Sequence, residues 1–197
     1  MSLTQPAADD LILEGIVTSL QADGTANISP MGPRVDRLVT RLVLRPFRTS
    51  QTYQNLQRHG AGVFHVTDDV ELIARAAVGQ LDPPRLLPAA AIRGYILADC
   101  CRWFAFRVRE LDDAAERTTI VCEVVDRGTL RDFFGFNRAK HAVLEAAILA
   151  TRIDIVSADE IRGEMRRLAI RIEKTAGDQE RRAFAFLNQY LDQRLRQ

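Results

Sequence analysis

Short apolar runs, some alternating and some continuous, fill the first two thirds of the chain, and helical stripes fill the last third. Residues 11–20 and 25–31 are β-rich, and the Gln21-Ala22-Asp23-Gly24 between them predicts a hairpin, because Asp-Gly tolerates the positive φ such turns need. Residues 37–45 alternate, with Leu38, Thr40, Leu42 and Leu44 on one face and Val39, Arg41, Val43 and Arg45 on the other. That pattern predicts a third strand. Residues 50–59 follow as a short helix, with Tyr53 and Leu56 on one face and Gly60 as its stop. Residues 61–66 make a fourth strand, and Asp68 or Asp69 caps a second helix reaching Val78. Residues 81–88 hold three prolines and read as a loop. Two long strands, 101–111 and 118–127, are joined by the polar turn 112–117.

Six antiparallel strands with two short inserted helices predict an α+β protein built on a small closed or partly open barrel. From Asn137 the texture is helical. Ala139, Ala142, Val143, Ala146 and Ala150 form one stripe, and Ser157-Ala158-Asp159-Glu160 is a capping box that opens a second helix on Ile161, Met165, Leu168 and Ile172. Gly177 then Asp178 reads as a stop and a fresh cap for a third helix carrying Phe184, Leu187 and Leu191. The expected division is a barrel domain of residues 1–130 and a helical domain of residues 131–197 packed on it.

At 197 residues the chain can bury a real core, and its 47% apolar and 27% charged content is that of a globular protein. A net charge of +1 offers no global attraction to nucleic acid or to an anionic membrane. Mixed charges on the late helices read as solvated faces. Residues 1–10 are polar and acidic with no apolar signal region, which argues against export. No apolar run approaches the roughly 18 residues that span a bilayer. Three thiols, Cys100, Cys101 and Cys122, make no disulfide framework; they are expected as buried free thiols in a reducing cytoplasm, with a facing Cys101–Cys122 pair as the alternative.

Charge is uneven along the chain. Between Arg34 and Arg58 lie six arginines and one acid, Asp36. The centre of this stretch is Arg45-Pro46-Phe47-Arg48-Thr49-Ser50-Gln51-Thr52-Tyr53-Gln54-Asn55-Leu56, the junction of the third strand and first helix. A helix start presents unpaired N–H groups and the positive end of a dipole, so it suits a phosphate. Arg48 can add a bidentate grip, and Thr49, Ser50 and Thr52 can donate hydroxyl hydrogen bonds. The plainer reading makes Thr49 and Ser50 helix caps and Asn55 a brace. His65 with Asp68 and Asp69 reads either as a ligand or acid–base group or as a strand-end histidine before a cap. His59 and His141 complete no metal-ligand spacing. No Ser/His/Asp order and no Gly-x-Gly-x-x-Gly occurs.

Four blocks carry a family likeness: Glu14-Gly15-Ile16-Val17-Thr18-Ser19 with Asp23 to Gly32, Arg48-Thr49-Ser50-x-Thr52-Tyr53-x-Asn55-Leu56, Gly62 to Asp69, and Phe136-Asn137-Arg138-Ala139-Lys140-His141 with the helix after it. In this order they resemble the FMN-binding split β-barrel superfamily, which includes flavin reductases, pyridoxamine-phosphate oxidases and flavoredoxins. Within it the likeness is closest to a prokaryotic family of unknown function whose members carry a split barrel followed by a helical C-terminal domain. The resemblance implies a homodimeric flavoprotein with FMN at sites formed between subunits. Its phosphate would sit at Arg48, Thr49 and Ser50, near Thr52 and Asn55, with the isoalloxazine along Asn27, Ser29, Pro30, Met31 and Gly32. Asn137 and Arg138 are further candidates, against the plainer reading of a solvated first turn. Arg107 and Arg109 alone stand where related oxidases hold a substrate phosphate, which speaks against a pyridoxine-phosphate substrate. The implied function is a flavin-dependent oxidoreductase of unknown substrate, without a side-chain acid–base catalyst. A non-catalytic FMN-binding module and a dimeric interaction protein with an empty pocket are the alternatives.

Overall fold

A computed structural model describes residues 10–196; all but the last residue of the polar opening stretch lies outside them. The strands are β1 (Leu11–Ile12), β2 (Gly15–Leu20), β3 (Ala26–Met31), β4 (Arg34–Val35), β5 (Arg41–Leu44), β6 (Ala61–Val66), β7 (Leu86–Pro88), β8 (Tyr95–Leu97), β9 (Arg102–Asp112) and β10 (Thr119–Thr129). The helices are α1 (Gln51–His59), α2 (Val70–Ala77), α3 (Arg138–Ala150), α4 (Ala158–Thr175) and α5 (Asp178–Arg194). Among the described residues no helix is long and apolar enough to cross a membrane.

Eight strands form one antiparallel sheet in the order β1-β4-β5-β10-β9-β6-β2-β3, and β7 and β8 form a separate ribbon. All six strands expected from the sequence belong to the large sheet, but the first is broken: its opening residues, β1, leave β2 and pair at one end of the sheet with β4, a two-residue addition. Among the described residues the sheet ends at β1 and β3. Its core gathers Val17, Leu42, Leu44, Leu56, Phe64, Phe104, Phe106 and Ile120. Every residue of β2 is buried, so its apolar run is continuous and not alternating. Gly62 of β6 lets Phe106 and the Thr18 carbonyl close in; a Cβ there would stand 2.7 Å and 2.9 Å from them.

Two local expectations change. The third strand begins only at Arg41, because Asp36 collects the Thr40 and Arg41 amides at 2.7 Å and 3.1 Å and closes a turn. Val39 sits inside that turn, buried, at φ 51. The proline-rich loop ends in a strand, since Leu86 and Leu87 pair with Leu97 and Ile96, and Pro88 lies at the ribbon's end where its missing N–H matters least. Cys101 and Cys122 do not face each other: Cys122 is registered with Val108 and Leu42, whereas Cys101 precedes β9 and donates its amide to the Val66 carbonyl at 3.0 Å. None of the three cysteines is in a disulfide and all are buried, as expected.

The chain divides into two compact units, residues 1–67 with 84–132 and residues 68–83 with 133–197. Residues 68–83, counted with the barrel in the sequence reading, therefore group with the C-terminal helices. The reason is α2's apolar face, whose Val70 and Ala74 join Ala142, Val143, Ile161, Leu168, Phe184 and Leu187 in one core. Asp69, not Asp68, caps α2, accepting the Leu72 amide at 3.0 Å, while Asp68 accepts the Phe134 amide at 2.8 Å. Ser157 caps α4 as expected. At α5 the cap is Gly177 and not Asp178: the Glu180 carboxylate reaches back to the Gly177 N–H at 2.9 Å. Lys140 bonds Glu180 at 2.9 Å and the Asp68 carbonyl at 2.7 Å, tying α3 to α5 and to the start of α2.

Candidate functional site

The loop from Arg45 to Ser50 is shaped by its own residues and by the tip of the β9–β10 hairpin. Ser50 is the N-cap of α1, its hydroxyl oxygen accepting the Tyr53 amide at 3.2 Å and its hydrogen going to the Phe47 carbonyl at 2.7 Å. That hydroxyl is therefore occupied by the fold. Across the loop, the Arg48 amide donates to the Glu116 carbonyl at 2.9 Å, and Thr118 donates to the Pro46 carbonyl from its amide (3.0 Å) and its hydroxyl (2.8 Å). The Arg117 guanidinium lies 4.8 Å over the Phe47 ring and donates to the Arg45 carbonyl at 3.2 Å.

What this leaves open is basic. Arg48 and Thr49 are exposed, and among the described residues neither side chain has a partner. The amides of Gln51 and Thr52 precede that of Gln54, the first to find a helical acceptor, the Ser50 carbonyl at 3.2 Å, and no acid stands in the first turn of α1. A guanidinium, a hydroxyl and free first-turn amides at a positive dipole end make a donor set suited to a phosphate dianion.

Behind the seat runs a buried polar network that joins α1 to β2 and β3. Asn27 donates to Thr52 Oγ1 at 3.1 Å and to Ser19 Oγ at 3.3 Å. Asn55, fully buried, donates to Ser19 at 3.0 Å and accepts from Gln51 at 2.8 Å. Asn27, Thr52 and Asn55 are thus brought together, with Asn55 as the brace. Ser29, Pro30 and Met31 lie along β3, an edge strand whose six residues are all half-buried. Proline suits such an edge because its nitrogen donates no ladder bond. Gly32 follows the strand where a Cβ would stand 2.7 Å from the Glu14 carboxylate. Asn137 and Arg138 belong to the helical unit. Asn137 caps α3, accepting the Ala139 and Lys140 amides at 2.8 Å and 3.1 Å and donating to the Thr175 carbonyl at 3.1 Å, and Arg138 is exposed.

Several contributors escape a sequence reading. Ser19 is one, although a serine inside a wholly buried strand is a visible signal. Asp113 and Glu116 are others; Tyr53 donates its hydroxyl to Asp113 at 2.6 Å, which together with burial and the carboxylate's charge raises the phenol's pKa. His65 is neither ligand nor acid–base group. Its Nε2 accepts the Leu97 amide at 3.1 Å, so the proton sits on Nδ1 and goes to the Ile16 carbonyl at 3.1 Å. Burial pushes its pKa down to about 4. Among the described residues there is no group of His, Cys, Asp or Glu that could hold a metal ion.

A model of the N-terminal domain of a protein family of unknown function, DUF447, matches residues 13–131, and the companion model of that family matches residues 137–189. The chain belongs to the DUF447 family. Among solved structures, this DUF447 chain is similar to an FMN-bound protein of the same family from Methanosarcina mazei, at 22% identity and a TM-score of 0.77, covering 91% of this chain and 94% of that one. It is also similar to the 2-nitrobenzoate 2-nitroreductase of Pseudomonas fluorescens, at 16% identity and a TM-score of 0.52 over 64% of this chain and 68% of that one. The styrene monooxygenase flavin reductase of Pseudomonas putida gives 13% identity and a TM-score of 0.51 over 60% and 80%. At these identities the likeness concerns the fold, which is that of the flavin reductase split barrel. No curated protein sequence matches the chain.

Proposed function

We propose that this DUF447 protein binds FMN and works as a flavin-dependent oxidoreductase. The observation that carries the reading is the start of α1, where an exposed Arg48 and Thr49 flank free first-turn amides and the first turn itself holds no acid. The family relation to an FMN-bound protein and the fold shared with a flavin reductase support it. Bound FMN supplies a reversible acceptor of a hydride or of single electrons.

The chain's own residues divide the work of holding it. Arg48, Thr49 and the Gln51 and Thr52 amides grip the phosphate. Asn27, Thr52, Ser19 and Asn55 fix β3 against α1, so that the edge of residues 27–32 keeps a set distance from the phosphate seat. Backbone groups on the open side of β3 meet the ring. No side chain at the seat is placed to move a proton, which assigns the redox step to the cofactor alone. The working unit is a homodimer in the cytoplasm; the open β3 edge favours a partner on that side, and light scattering tests the assembly.

The test is spectroscopic. Protein as purified should carry flavin absorbance, and Arg48→Ala should weaken FMN on the order of tenfold or more while leaving riboflavin, which has no phosphate, within about twofold. Colourless protein with no spectral change on FMN titration would end the reading. Stopped-flow reduction of the bound flavin by NADH or NADPH separates an enzyme from a carrier.

A further inference from the structure

The loop that carries the seat is not held by its own helix alone. Tyr53 projects from the first turn of α1, and its hydroxyl accepts from Gln57 at 3.0 Å and donates to Asp113 at 2.6 Å. Asp113 stands on the β9–β10 turn, the same turn whose Glu116 carbonyl takes the Arg48 amide and whose Thr118 holds Pro46. The turn and the loop are therefore bonded at both ends of the seat. The ring of Tyr53 is buried, and its hydroxyl meets both Gln57 and Asp113.

We propose that Asp113 is a positioning residue for the flavin phosphate, acting through the Tyr53 hydroxyl to hold the hairpin turn against the start of α1. This rests on the reading of the Arg48 corner as the phosphate seat. Its content lies in a sign. Asp113 and Arg48 both act electrostatically on Tyr53, so the carboxylate lies within charge range of the seat. As a bare charge it repels a phosphate, and removing it would tighten FMN. As a positioning group it keeps Arg48 and the first-turn amides in register, and removing it loosens FMN. The two roles move affinity in opposite directions.

The experiment measures dissociation constants for FMN and riboflavin by quenching of flavin fluorescence, with Trp103 emission and circular dichroism as checks of folding. Asp113→Ala and Tyr53→Phe are each expected to weaken FMN about five- to tenfold, the worth of one net hydrogen bond, with riboflavin unchanged within about twofold. The double variant should be no weaker than Tyr53→Phe alone, since that change already removes the contact that Asp113→Ala deletes, along with the acceptor of Gln57. Asp113→Asn, which keeps an acceptor for the phenol and drops the charge, should return FMN affinity to within about twofold of wild type. Tighter or unchanged FMN binding by Asp113→Ala overturns the proposal, as does equal weakening of both flavins or additive losses in the double variant. Arg48→Ala measured alongside tests the seat itself: if it leaves the FMN-to-riboflavin ratio unchanged, the phosphate reading fails whatever Asp113 does.

Discussion

Acidification should loosen the barrel unit through one group, the His65 imidazole. In the folded protein both ring nitrogens are used, Nδ1 as donor to Ile16 and Nε2 as acceptor from Leu97, and the ring is fully buried. Protonating Nε2 turns the acceptor into a second donor aimed at an N–H and places a charge in an apolar core. Burial accordingly lowers the pKa from the ordinary 6.5 to about 4. The sign follows. Above pH ~6.5 folded and unfolded chains are both neutral there, and the full stability is present; as pH falls the unfolded chain takes the proton first, and stability is lost down to pH ~4. At 1.36 kcal/mol per unit, this is a loss of about 2 kcal/mol between pH 7 and 5, and about 3 kcal/mol by pH 4. The only tryptophan, Trp103, is registered directly opposite His65, so its fluorescence follows this unit. Urea denaturation of wild type and His65→Gln at pH 7 and 5 isolates the effect, because the carboxylates that titrate in the same window are common to both. The variant should be less stable at pH 7 and should lose about 2 kcal/mol less on acidification. Equal pH dependence in the two proteins, or a folded imidazole seen by nitrogen NMR to titrate near pH 6.5, would refute the reasoning.

Two other features give measurable outcomes. Burial pushes the Cys100 thiol up to about 12 and raises Cys122 as well, so at pH 8 the native thiols should react with a disulfide reagent on the order of a thousandfold slower than the denatured chain; prompt native labelling would contradict the burial. In the helical unit, Glu180→Ala removes the partner of Lys140, both side chains of the pair being largely hidden from water, and the acceptor of the Gly177 amide at the exposed start of α5. A loss of about 3 kcal/mol is expected by denaturation followed in the far ultraviolet, and a loss below about 1 kcal/mol would mean that water screens the pair.

How much of this was legible in the residues depended on the range of the forces involved. The long strands and the three late helices follow from stripes such as Ile161, Met165, Leu168 and Ile172, all buried, because hydrophobic burial imprints its period on the chain. The turn at residues 37–40 did not, since alternation carries no mark of a carboxylate that gathers two nearby amides. The membership of α2 was hidden for another reason: Val70 and Ala74 look the same whichever core receives them. At the site, Arg48 and Thr49 stand open as their composition suggested, while Ser50 and Asn55 are engaged in building the helix start and its brace. Asp113 lies 60 residues from Tyr53 in sequence, and no local pattern announces such a contact.

That separation bears on how the protein is made. Pro46 is joined to Thr118 across 72 positions, so a polypeptide leaving the ribosome has the start of α1 long before it has the turn that steadies it. Closing so wide a gap is slow compared with forming one helix. With the phosphate seat proposed at Arg48, cofactor uptake during synthesis would wait for the ninth and tenth strands, and a fragment ending before them should emerge with the arginine in place and no means of holding it still.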